Sequence, residues 1–365
     1  MPNKPATIFD PSKTFDENFD HGPYPSNSNS SPYKNNGKPN YTFLGHPIYS
    51  PFGIGAGSLP TSKHVKYSFE RGFDVICYKT QRSTVFPCNE FPNVVYLDVD
   101  GDLTIEKARQ PVIGHRDSTQ DIEELTITNS FGNPSRGPDF WVSDMKKAVE
   151  SQGTGQLLIS SVVGTIQDGF TQEDYYDDFA KTAELAASTG VQAIEINLSC
   201  PNVANEGIVC YTYDAVIEIC KRTKAVVGDI PLIAKIGYFT KEQHDLLTRI
   251  VKDTAPYISA FSAINTIQAV VVDEDGNQLL PGEGRLLAGV CGAAIRWAGI
   301  DMVKQLDALR KEHNLAYEII GIGGVSRPED FAAYRNAGAD VVQCVTAAMW
   351  NDGLAAEIKQ SLLAK

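Results

Sequence analysis

The sequence predicts an α/β chain folded as a single (β/α)8 barrel. Three observations point there. From about residue 48 onward, apolar strand candidates alternate with helical stretches, and eight such units fit the remaining length of about 315 residues. The strand candidates are apolar without alternation, as expected for a parallel sheet buried on both faces. No Gly-x-Gly-x-x-Gly turn follows the first strand: Gly53-Ile54-Gly55-Ala56-Gly57 has another spacing, which disfavours the competing doubly wound open sheet.

The elements follow in order. Residues 1–40 are polar and rich in Pro, Ser and Asn, and they read as an irregular N-terminal arm, either mobile or draped over the body. Residues 41–365 hold the barrel. Its strand candidates are 52–57, 74–79, 156–163, 193–199, 231–236, 258–265, 317–323 and 340–345. Helical periodicity marks 173–188, 213–227, 241–254, 292–312 and 327–337, the last with Ser326 as expected N-cap and Gly338 as stop. Insertions lie near 81–128 and 267–285. Within them, 93–105 and 270–280 each carry an Asp-Gly turn between two short apolar runs, so β-ribbons are expected. In a barrel such ribbons fall in βα loops at the C-terminal mouth, where they roof the site or build a subunit contact.

Composition narrows the function. The net charge of −13 argues against a nucleic-acid surface. The seven cysteines are irregularly spaced with no Cys-x-x-Cys pair, which argues against a disulfide framework, a zinc site or an iron–sulfur cluster. Reduced thiols in a cytoplasm are the simplest account, and neither a signal pattern nor a membrane span is expected.

Catalytic groups of a barrel sit at the C-terminal ends of its strands. Those ends read, in order, Ala56-Gly57, Lys79-Thr80, Asn129-Ser130-Phe131-Gly132-Asn133 before the third strand, Asn197-Leu198-Ser199-Cys200-Pro201-Asn202, Lys235, Asn265-Thr266, Gly323-Gly324 and Val345-Thr346. Asn side chains offer both a donor and an acceptor and suit a planar amide or imide ring. A thiol among them can exchange a proton near neutrality. Each residue has a plainer reading: a buried structural Cys, a snorkelling Lys, ordinary Gly turns, an Asn cap. Five amides, two lysines and a thiol on one barrel face outweigh those readings taken singly. Glycine-rich backbone after the seventh strand and a hydroxyl after the eighth suit a phosphate, and a lysine suits the polar edge of an isoalloxazine. FMN is the cofactor this chemistry favours; no metal is expected.

Asn-Leu-Ser-Cys-Pro-Asn, with Lys235, Asn265-Thr266 and the Gly-Gly pair downstream, resembles the dihydroorotate dehydrogenase family from about residue 47 to the C-terminus. Cysteine at the base position resembles the soluble class 1 enzymes rather than the serine-bearing class 2 enzymes. The resemblance implies that Cys200 removes a proton from C5 of dihydroorotate while a hydride passes from C6 to FMN. It implies that Lys79, Asn129, Phe131, Gly132, Asn133, Asn197, Asn202, Asn265 and Thr266 hold the substrate. It implies that Ala56, Gly57, Lys79, Thr80, Asn129, Asn197, Lys235, Ile264, Gly292, Gly323, Gly324 and Thr346 hold the flavin. A homodimer is expected, with room for a separate electron-transfer subunit. One departure is Val345, where the family usually has Gly. The alternatives are another FMN-dependent dihydropyrimidine oxidoreductase, a Schiff-base lyase using Lys235, and a flavin-binding protein without turnover.

Overall fold

The structure is a computed structural model that describes residues 5–25, 31–199 and 208–363. Eight parallel strands close a barrel: β1 (Phe52–Ile54), β2 (Val75–Gln81), β3 (Leu157–Val162), β4 (Ala193–Asn197), β5 (Leu232–Ile236), β6 (Ala260–Ala263), β7 (Glu318–Ile322) and β8 (Val341–Cys344). Each strand pairs with its successor, and β8 returns to β1. All eight lie within the intervals the apolar runs mark, apart from the two-residue extension of β2 to Gln81. The continuous apolarity has its physical reason in this closure, because one face of every strand meets helices and the other meets the barrel interior.

The lower interior is filled by Val75, Leu157, Ile159, Ala193, Ile233, Ala260, Ile320 and Val341. A hairpin of Tyr41–Phe43 and His46–Ile48 plugs that end with Phe43 and Ile48, both fully buried. The outer face packs against amphipathic helices. In Gln172–Ala187, Thr171 and Asp174 form a capping box, and Phe179 and Ala183 point into the core. Truncating a buried Phe such as Phe179 typically costs about 3–5 kcal/mol.

Four expectations need correction. Residue 326 is not the N-cap of Pro328–Ala337; Arg327 is, while the Ser326 amide and hydroxyl both donate to Asp330 Oδ2 at 3.1 Å. Gly338 does end that helix at φ 112°, where a Cβ would meet the Asp307 side chain at 2.5 Å. Residues 93–105 are not a ribbon: Tyr96–Leu97 is a strand, but Thr104 caps a short helix, Ile105–Ala108. The strand Tyr96–Leu97 instead joins Val112–His115, Thr126–Asn129, Ile267–Val272 and Leu287–Gly292 in a second, five-stranded closed sheet. Ile267–Val272 accordingly pairs with Leu287–Gly292, and only the bridge Val272 to Gln278 spans the Asp-Gly turn.

The arm is not wholly irregular. It contains α1 (Phe15–His21), closed by a capping box between Thr14 and Glu17. Asn18 is fully buried and ties the arm together: its side chain accepts from the Asp10 amide and donates to the Asp10 and Thr14 carbonyls. Phe9 and Phe15 bury against Val94, Tyr96, Ile127, Met349 and Trp350. The arm is therefore docked beside the small sheet. Among the described residues, no helix is long and apolar enough to cross a membrane.

Candidate active site

A cavity opens between the C-terminal ends of the barrel strands and the five-stranded sheet. Its walls include Ala56 and Gly57 after β1, Lys235 on β5, Asn265 and Thr266 after β6, Gly323 and Gly324 after β7, and Thr346 after β8. The small sheet adds Asn129, Gly292 and, from the following loop, Phe131.

Two elements bring the amides together. β4 and β5 pair Asn197 with Lys235 in register. Asn265 donates from Nδ2 to Asn197 Oδ1 at 3.3 Å and to the Ser199 carbonyl at 2.6 Å. This leaves the Asn265 carbonyl and the Asn197 amide group as an adjacent acceptor and donor. Cys200 and Asn202 lie outside the described residues.

Two lysines supply positive charge. Lys79 is buried and donates to the Gly57 carbonyl at 3.2 Å; its Nζ stands 5.1 Å from the Phe131 ring centre and 5.8 Å from that of Phe15. Lys235 is 3% exposed and lines the cavity, and among the described residues nothing accepts a hydrogen bond from its Nζ. A buried ammonium without an acceptor is costly, so this cation calls for a polar group in the cavity. Thr266 Oγ1 and Ser58 Oγ are likewise buried without partners.

The far end of the cavity is a backbone cradle. Gly292 and Gly324 hold φ values of 101° and 65°, and a Cβ on Gly324 would lie 2.6 Å from the Gly292 carbonyl oxygen. Arg296 fixes the turn by donating to the Gly324 carbonyl at 2.8 Å and pairing with Asp330 at 3.1 Å. The amides of Gly324 and Val325 find no acceptor among the described residues. Val345 has a negative φ of −133°, so no left-handed backbone demands glycine there, and its side chain lines the wall beside Gly57. A phosphate fits this cradle and a planar polar ring edge fits Lys235; the residues present therefore suit a flavin nucleotide.

Other expected residues stand elsewhere: Lys79 and Asn197 do not line the cavity themselves and reach it through the lining residues Gly57 and Asn265 that they bond. Thr80 pairs its hydroxyl with Ser161 at 2.9 Å and does not line the cavity. Gly132 and Asn133 stand back from it, their carbonyls accepting from Arg82 at 3.4 and 3.0 Å. Ile264 follows a cis peptide bond and is bonded through its amide to Ile322, beneath the lining. Phe9, Ser58, Cys291 and Met349 line the cavity without having been anticipated. Ser58 and Cys291 adjoin anticipated glycines and were within reach of a wider window; Phe9 and Met349 left no local signal. The Cys291 thiol is pushed up to about 11 by burial, so it is a poor base near neutrality.

Fold and site together define a (β/α)8 barrel protein with an anion cradle and an amide-lined, cationic ring pocket. Residues 108–365 match the family profile described as dihydroorotate dehydrogenase. The chain is 34% identical over 362 residues to the dihydroorotate dehydrogenase of Dictyostelium discoideum, covering 97% of this chain and 96% of that one. It is 30% identical over 237 residues to dihydroorotate dehydrogenase A (fumarate) of Lactobacillus delbrueckii subsp. bulgaricus, covering 65% and 71%. It is 29% identical over 236 residues to the catalytic subunit of dihydroorotate dehydrogenase B (NAD(+)) of Alkaliphilus oremlandii, with the same coverage of 65% and 71%. A crystal structure of the Eimeria tenella enzyme with ferulenol shares the fold at TM-score 0.67 and 17% identity, over 89% of this chain and 83% of that one. The chain belongs to the dihydroorotate dehydrogenase family.

Proposed function

We propose that this chain oxidises dihydroorotate to orotate in pyrimidine biosynthesis, with FMN held in the cavity. The observation that carries the reading is the meeting, around one cavity, of Asn265, which bonds Asn197, with the buried Lys235 ammonium and the Gly292/Gly324 cradle. FMN, when bound, would supply the two-electron acceptor. Gly324 and Val325 would hold its phosphate, and Lys235 its polar ring edge.

The chain's own residues do the rest. Asn197 and Asn265 present a donor and an acceptor to the ring amide of the substrate. Asn129 supplies a further amide, and Lys79 a cation for the carboxylate. Phe131 and Phe15 screen Lys79 from water, which strengthens its pull on that carboxylate. Cys200 is the base for the C5 proton. It follows Ser199, whose carbonyl is already fixed by Asn265. The other thiols are unsuited to that role: burial raises Cys210 to about 12 and Cys88 to about 11.

The test is spectroscopic. Purified protein should show flavin bands near about 370 and 450 nm. Anaerobic dihydroorotate should bleach them, while dihydrouracil, which lacks the carboxylate, should do so at least about tenfold more slowly, the cost of one unmatched buried polar partner. Colourless folded protein would remove the flavin reading and favour chemistry at Lys235. Equal bleaching by both compounds would make it a general dihydropyrimidine oxidoreductase.

A further inference from the structure

Glu195 is a carboxylate that the proposed chemistry leaves unused. It sits on β4, is 1% exposed, and lies two residues before Asn197. Strand alternation puts Ala193, Glu195 and Asn197 on one face, and Ala193 belongs to the apolar cluster of the barrel interior with Cys77, Ile159 and Ile233. Cys77 confirms that orientation by pointing its thiol at Glu195 Oε1, 3.8 Å away. Glu195 thus lies under the cavity floor, one level below the residues that line it.

A buried carboxylate with a thiol for a donor is poorly compensated, since a thiol is a weak donor. An opposite charge stands on the next strand, beyond hydrogen-bond distance. Lys235 pairs in register with Asn197, and Glu195 with Ile233, so Glu195 and Lys235 are diagonal neighbours on adjoining strands. Long side chains reach each other across such a diagonal. Cys77 lies between both fields: burial and Glu195 push its thiol well up, and Lys235 pulls it the other way. Ser262, beside Lys235 in register, is buried with its hydroxyl unpartnered, so the layer is polar and enclosed. The second cation, Lys79, is already engaged by the Gly57 carbonyl and the Phe131 ring.

We propose that Glu195 is the counter-charge and positioning residue of Lys235, and that this buried pair, rather than the lysine alone, sets the charge presented to the polar edge of the bound flavin. The proposal rests on the flavin reading above. A lone ammonium at that edge favours the anionic reduced ring. A carboxylate beneath it offsets the effect and holds its stem upright.

Two measurements test it. In Glu195→Gln, which keeps shape and removes charge, the bound flavin should favour its reduced form at least about tenfold more, a rise of about 30 mV for a two-electron couple in a dye-equilibration titration. The second measurement needs no flavin: melting of Glu195→Gln, Lys235→Gln and the double variant. Each single variant strands a buried charge, so the double variant should melt above the value that additivity predicts. Should Glu195→Gln alone fail to fold, folding of the double variant is that same non-additivity in its strongest form. Additive losses would overturn the pairing. Non-additive melting with an unmoved potential would overturn the assignment to the flavin edge. Wild-type protein without flavin would refute the reading under Proposed function and leave the melting cycle to decide the pair.

Discussion

His64 makes the fold acid-sensitive, by an amount that can be worked out. It lies on the helix Ser62–Glu70, fully buried, with Nδ1 2.8 Å from Thr61 Oγ1 and Nε2 without a partner. It backs onto the end of α1: a Cβ on Gly22 would lie 2.5 Å from its Nε2. Burial, with a smaller contribution from Lys63, holds the imidazole down at about 3. In the unfolded chain it titrates near about 6.5. Between those values the unfolded chain binds a proton that the folded chain refuses, so stability falls as pH drops below about 6.5 and goes on falling toward 3. At pH 5 the gap in use is about 1.5 units, or about 2 kcal/mol at 1.36 kcal/mol per unit. His64→Gln keeps a polar group near Thr61 and cannot titrate. Urea unfolding at pH 7.5 and pH 5.0 should show wild-type protein losing about 2 kcal/mol more than the variant, a comparison in which the carboxylates common to both cancel. A wild-type-to-variant difference that is the same at both pH values would refute the reasoning.

Two further outcomes concern the site. Gly324→Ala must place a Cβ at φ 65° and 2.6 Å from the Gly292 carbonyl; the left-handed backbone alone costs about 1–2 kcal/mol, so FMN affinity in equilibrium dialysis should fall at least tenfold, and unchanged affinity would put the phosphate elsewhere. Cys200→Ala should retain fold and flavin yet reduce flavin about 10²–10⁴-fold more slowly in anaerobic stopped flow, the usual loss for a positioned base; a near-native rate would take the base role from Cys200.

The barrel was legible because its signal is local. Each strand is a short apolar run, and each run ends in a residue whose type suits a mouth rather than a core: Lys235 after Leu232-Ile233-Ala234, Asn197 after Ala193-Ile194-Glu195-Ile196, Gly323 after Ile319-Ile320-Gly321-Ile322. Position along a strand fixes height in the barrel, so the C-terminal residue of every strand reaches the same end. Thr80 fails this rule for a visible reason. The pairing of β2 with β3 shifts register between Ser160 and Val162, and Thr80 turns to Ser161 instead of the cavity. Asn133 fails because it bends away at φ 52° to meet Arg82. Over residues 93–105 the Asp-Gly dipeptide is misleading, because it signals a hairpin only when both flanks extend, and Thr104 caps a helix in the second flank.

The roof of the cavity was illegible for a different reason: its contacts join the two ends of the chain. The Thr7 amide donates to the Met349 carbonyl at 2.7 Å, a span of 342 residues, and Phe9 stacks edge-on against Phe131 at 5.6 Å. Arg136 reaches Asp16 at 2.7 Å and lies over Phe19, which pins α1 to the short strand Ser135–Arg136 that precedes Pro138–Glu150. None of these partners has a sequence period, because the arm buries single rings rather than a face. An arm of such composition does not fold by itself. It is ordered by docking, and docking is what brings Phe15 over Lys79. The charge environment of Lys79 therefore depends on residues that no window around the barrel strands contains.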